Sequence, residues 1–271
     1  MISYKMQLSV TDKYALQLRR AFLKSIKDTK SATDINWVTE QVQRGPEAVY
    51  NAIQWHAWWP VPILSKAYNE MFDKSYIEKE AGVLNPEDFV LPNPAAERWM
   101  LQYAATEVTG ITGKSKEMIR NVIFEGLRDK QTNQQTAERI MNHIGLTKGQ
   151  EQAVENYRKS LVKNGLPEAR IKTLTNSYYN KLLNYRAETI ALTESHTATT
   201  HAWVDQVQDA GRRGVFGDEY HLNWLTTPDD RLCDQCASMN GRTGSIDSGS
   251  VDGETPPLHQ RCRCVLTVTK K

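Results

Sequence analysis

Five residues near the C-terminus have the types and the spacing to bind a soft metal ion. Cys233-Asp-Gln-Cys236 is a C-x2-C pair, and after 22 intervening residues the chain reads His259-Gln-Arg-Cys262-Arg-Cys264. Two donors two residues apart converge from one tight turn, and a second pair from a distant segment completes a tetrahedron. Thiolate and imidazole donors select zinc over magnesium or calcium. Five donors compete for four positions. Cys233, Cys236, His259 and Cys262 form the preferred set, with Cys264 in reserve; in a strand it would face the same side as Cys262. Four soft ligands close the shell, which suits a structural ion, whereas catalysis needs an open position. A small β module with little core also gains much from a bound metal. Two other readings stay open: reduced core cysteines without metal, and disulfides if the protein ends outside a cell.

Other candidate groups are weaker. Glu194, Ala198 and His201 share a helix stripe with Ala187 and Ala191, which suggests a buried polar pair in a packed helix rather than a catalytic site. Ser195 and His196 are adjacent, but helix neighbours point about 100° apart, so they cannot serve each other as nucleophile and base. Gly211-Arg-Arg-Gly-Val-Phe-Gly217 lacks the spacing of a nucleotide-binding loop and reads as a helix end. Trp55, Trp58 and Trp59 form an aromatic cluster, read as core in preference to an exposed anchor.

The elements that must position these residues are mostly helical. Thr11 or Asp12 can cap a helix with Leu16, Ala21 or Phe22, Leu23 and Ile26 on its apolar face. Shorter helices are expected from Asp34 to Val42 and from Pro46 to about Trp55. Another runs from Pro62 to about Glu80, then come a connector from Asn85 to Pro94 and a helix from Pro94 to about Val108. Beyond Gly110, Ile119, Val122, Ile123 and Leu127 recur at helical spacing. Thr132-Asn-Gln-Gln135 and Thr147-Lys-Gly-Gln150 are capping boxes, and Gly145 ends the helix between them. Pro167 opens a helical stretch to Leu183, and another follows from about Tyr185 to Ala210. The end of the chain changes character: Tyr220 to Thr226 and Cys262 to Thr269 read as strands around a turn-rich, cysteine-bearing segment. The fold class is therefore mainly α, an extended helical body with a small C-terminal α/β module stabilised by a metal site. The expected divisions are 1–109, 110–212 and 213–271.

Composition agrees with a folded chain. The 271 residues are 39% hydrophobic and 24% charged, with a net charge of +2, which excludes a disordered or collagen-like chain. No apolar run approaches a membrane span, and MISYKMQLSVTDK has no apolar core of a secretory signal, so a reducing compartment is expected. The small net charge hides a gradient: residues 1–109 carry −1, 110–186 carry +7 and 187–271 carry −4. The basic middle is either a face toward nucleic acid or an acidic protein, or a set of solvated helices; the absence of a tight Lys/Arg cluster favours the solvated helices.

Trp224-x5-Asp230-Arg231-x-Cys233-x2-Cys236, then Gly241, then Pro256-Pro257-x-His259-x2-Cys262-Arg263-Cys264 resembles the C-terminal signature of phage minor head proteins, the phage Mu protein F-like or head morphogenesis family. Arg186-Ala-Glu-Thr-Ile-Ala-Leu-Thr193-Glu194-Ser195 is similar to the family's preceding helix, with Leu192 where the family more often has Arg. The resemblance covers about residues 110–270. It implies a non-enzymatic, low-copy structural protein of a tailed phage head, working in the host cytoplasm during assembly and ending in the virion. Its implied partners are the portal protein and the scaffold or major capsid protein, with packaged DNA near the basic middle as a further one. It implies no membrane partner. Rival readings are an enzyme or toxin-like module carried in the head, and a zinc-containing DNA-binding protein.

Overall fold

The computed structural model describes residues 2–56, 60–71 and 94–270. In chain order it forms α1 (Ile2–Ala32), α2 (Ile35–Val42), α3 (Pro46–Ala52), α4 (Val61–Met71), α5 (Pro94–Arg128), α6 (Asn133–His143), α7 (Lys148–Lys163) and α8 (Glu168–Arg212). Then come β1 (Tyr220–Leu225), α9 (Asp234–Met239), β2 (Thr243–Gly244) and β3 (Val265–Lys270). The protein is mainly helical with a small sheet near its C-terminus, as the periodicity predicts. Trp58 and Trp59, the helix tail expected over 72–80 and the connector over 85–93 lie outside the described residues. Trp55 stacks on Tyr50 at 5.0 Å and donates its indole N–H to the Tyr50 carbonyl.

The chain divides into two compact units. One comprises Met1–Arg19, Pro60–Tyr103 and Glu188–Lys271; the other comprises Arg20–Trp59 and Ala104–Ala187. Helices α1, α5 and α8 contribute residues to both.

In the second unit the local signals read from sequence are realised. Thr132 and Thr147 each accept from the backbone N–H three residues on, and the Gln135 and Gln150 side chains return the bond. Gly145 has φ +95°, and a Cβ there would press on Leu183 and Ile26, so glycine is required. Ile119, Val122, Ile123, Ile140 and Ile144 are buried. Leu127 differs from expectation: it is 74% exposed beside Phe124 at 66%, because the buried face of α5 runs through Ile123, Glu125 and Gly126 and ends there. Arg139 sits inside this unit. Its Nε donates to Glu151 at 2.6 Å and its Nη2 to Glu125 at 2.7 Å, while His143 Nδ1 lies 3.2 Å from the same Glu151 oxygen. Burial works to raise the Glu151 pKa, but the hydrogen bonds from His143 and Arg139 outweigh it and hold the carboxyl below the usual range.

The first unit packs Leu18, Leu64, Tyr68, Met71, Ala198, Trp203 and Val207 in its interior. Its core also holds polar groups. Thr11, expected as a cap, is an interior residue of α1: its hydroxyl meets Thr199 at 2.9 Å and its carbonyl accepts from Ser195 Oγ at 2.7 Å. Leu16, expected on the apolar face, is 46% exposed, since the buried stripe of this part of α1 runs through Gln7, Thr11, Tyr14 and Leu18. Gln7 donates to the Leu266 carbonyl at 2.9 Å, and the Tyr4 and Thr227 hydroxyls lie 2.5 Å apart. Two further boundaries differ. α5 continues through Gly110 and Gly113, and α8 continues through Asn184. Glycine inside a helix costs only about 1 kcal/mol relative to alanine, so a long helix can absorb it.

The sheet is antiparallel, in the order β2-β1-β3. Trp224 pairs with Leu266 and Leu225 with Val265, which places Cys262 and Cys264 immediately before β3 rather than within it. A Cβ on Gly244 would lie 2.0 Å from the Ser250 carbonyl oxygen, so the β2 turn admits only glycine.

Candidate metal centre

The two cysteine arms meet at short turns. Cys233 is the N-cap of α9, and its sulfur accepts the Cys236 backbone N–H at 3.4 Å. The same turn therefore brings both thiols to one side. The second arm closes similarly, with Cys262 N–H donating to the His259 carbonyl at 3.1 Å. His259 Nε2 then lies 3.3 Å from Cys233 Sγ and 3.2 Å from Cys236 Sγ, and Cys236 Sγ lies 3.7 Å from Cys262 Sγ. The donor atoms of Cys233, Cys236 and His259 all fall within 4.8 Å of one another, as do those of Cys236, Cys262 and Cys264. All five sequence candidates thus line one small cavity of about 20 Å³, and they could hold a metal ion.

His259 Nδ1 is 2.9 Å from the Gln260 carbonyl. A carbonyl only accepts, so Nδ1 carries the proton and Nε2 turns its lone pair toward the two sulfurs, as a metal ligand requires. The thiols are not equivalent. The Cys236 N–H at its sulfur holds the Cys233 thiol down, and a hydrogen bond from Cys264 holds Cys262 down to about 4. Burial pushes Cys236 up to about 12. No disulfide joins any of the four cysteines.

Supporting residues surround the arms. Arg263 and Arg231 both bond Asp229, at 2.5 and 3.2 Å; Arg263 holds the Asp229 carboxyl well below the usual range. The sequence singled out Asp230, but that residue is exposed and its neighbour takes both arginines. Pro257 follows a cis Pro256–Pro257 peptide two residues before His259. Trp224 is fully buried on β1, and its indole N–H has no hydrogen-bond partner among the described residues. Leaving such a donor unmatched costs about 1–3 kcal/mol. Helix α8 also reaches this region: Thr193 Oγ1 accepts from Arg261 N at 3.1 Å, Glu188 pairs with Arg261 at 3.2 Å, and His196 Nδ1–H donates to the Cys262 carbonyl at 2.8 Å. Sequence reasoning weighed His196 only against Ser195 and missed this role, because a bond to a carbonyl 66 residues away leaves no local pattern. Glu194 is buried and accepts from the Tyr103 hydroxyl at 2.5 Å. It belongs to no group of metal donors among the described residues.

Residues 117–267, just over half of the chain, match the family model described as phage Mu protein F like protein. The chain belongs to the phage Mu protein F-like family. The matched span includes both metal arms, Trp224 and the α8 residues that bond the second arm. No curated protein and no solved structure matches. Membership places the chain among phage head-morphogenesis proteins, a structural rather than enzymatic family. No described helix is long and apolar enough to cross a membrane.

Proposed function

We propose that this phage Mu protein F-like chain is a low-copy structural protein of a tailed phage head that associates with the portal and the procapsid during assembly and DNA packaging. Cys233, Cys236, His259 and Cys262 hold a structural zinc ion. The observation that carries this reading is the convergence of both arms within the matched family span. Its dimensions support zinc: two thiolates at about 2.3 Å from a tetrahedral zinc lie about 3.8 Å apart, close to the 3.7 Å between Cys236 and Cys262. The zinc ties β1 and α9 to the start of β3, and residues 213–271 act as a rigid docking module. Scaffold or major capsid subunits are further partners, with packaged DNA near the basic residues 110–186 as an additional one. The mature location is the virion.

Two measurements test this. Metal analysis of the purified full chain should give close to one equivalent of zinc; less than about half an equivalent sinks the zinc reading. Co-purification with the portal protein of the same phage should succeed; a pull-down that recovers no portal protein refutes the portal association.

A further inference from the structure

Five donors surround a centre that takes four, and the surroundings of Cys264 distinguish it from the rest. This inference rests on the zinc reading above. Cys233, Cys236 and His259 form one compact group, and the ligand that closes the shell must come from Cys262 or Cys264, both grouped with Cys236. Cys262 shares a turn with His259 and stands at the sulfur–sulfur edge length of a zinc tetrahedron from Cys236. Its own carbonyl is fixed by His196.

Cys264 has a different neighbour. Trp224 pairs with Leu266 across the sheet, and Cys264 precedes Leu266 by two residues. Residues two apart on an extended chain share a face, so the Trp224 indole and the Cys264 thiol are diagonal neighbours on the buried side. The indole N–H is fully buried and has no hydrogen-bond partner among the described residues. A phenylalanine would fill that space without stranding a donor.

We infer that Cys264 is not a zinc ligand but a buried positioning thiol, which accepts the Trp224 indole N–H and donates its own S–H to the ligating sulfur of Cys262. Groups that hydrogen-bond metal ligands fix their orientation, and losing one costs about 10–100-fold in metal affinity. Trp224 thereby acts on the metal from β1 through one intervening sulfur.

Cobalt loading of the full chain tests this, because the sulfur-to-cobalt absorption scales with the number of bound thiolates. Cys264→Ala and Cys264→Ser should retain the wild-type intensity, and Cys262→Ala should lose about a third of it. Transfer of metal to a chelator should be about 10–100-fold faster in Cys264→Ala and in Trp224→Phe, and near the wild-type rate in Cys264→Ser, which keeps a donor. If Cys264→Ala loses a third of the absorption, Cys264 is a ligand and the inference fails. It also fails if both Cys264→Ala and Trp224→Phe release metal at the wild-type rate. If Cys264→Ala does not fold, the Cys264→Ser intensity decides the ligand question and Trp224→Phe the positioning role. A wild-type chain that takes up no cobalt overturns the zinc reading itself, a result distinct from any of these.

Discussion

Arg139→Met should be the most damaging single change in the second unit. The Arg139 side chain is 6% exposed, and its carboxylate partners Glu125 and Glu151 are 9% and 0% exposed. Water therefore cannot replace the lost cation, and the large figures for buried pairs apply rather than the small ones for surface pairs. Removing one partner of a buried pair costs about 3–5 kcal/mol, and here one substitution strands Glu125 and leaves Glu151 with His143 alone. Methionine preserves most of the volume, so the loss is electrostatic. The Glu151 carboxyl is held below its ordinary value of 4.5, so its contribution is present above that pH and lost as pH falls through the depressed value. The deficit of the variant should therefore be large at pH 7 and shrink in acid, where the Glu151 carboxyl is neutral. Adding Glu125→Gln and Glu151→Gln should recover at least half of the loss. Urea unfolding followed by far-UV circular dichroism, with hydrogen exchange over residues 133–163 as the local readout, measures it. A loss under about 1 kcal/mol at pH 7, or one that does not depend on pH, would refute the reasoning.

Cys233→Ser should abolish stoichiometric metal and raise hydrogen exchange over residues 220–270 while α6 and α7 keep their protection; uniform loss of protection would contradict a local role for the metal. Gly244→Ala forces a Cβ to within 2.0 Å of the Ser250 oxygen and should increase exchange throughout β1 and β2, which wild-type-like protection would disprove. Arg263→Ala should cost under about 1 kcal/mol, since both members of the Arg263–Asp229 pair are 28% exposed and solvent screens them; a loss above about 2 kcal/mol in the same urea assay would show that the pair does more than its exposure allows.

Local features were readable from sequence. The capping boxes at Thr132 and Thr147 work within four residues, so their chemistry needs no tertiary context. The five candidate donors were visible for the same reason: each arm is a short turn whose spacing alone aims the side chains. What failed was non-local. The buried stripe of α1 contains Gln7 and Thr11, whose partners Leu266 and Thr199 are far along the chain, so the helix expected after a Thr11 or Asp12 cap begins ten or eleven residues later than the observed start at Ile2. Helix α9 was missed because six residues are too few to show a periodicity, and a cysteine is an unusual N-cap. Asp229 and Asp230 carry the same charge side by side, and only the positions of Arg231 and Arg263 decide between them.

The bonds from Tyr4 to Thr227 and from Gln7 to Leu266 also set a timetable. Tyr4 and Gln7 leave the ribosome 223 and 259 residues ahead of the hydroxyl and the carbonyl they bind. At about 5–20 residues per second, that face of α1 waits on the order of ten to fifty seconds for its partners. During synthesis the first unit therefore remains open at a known seam, and the segment that carries the metal arms is also the one that closes it.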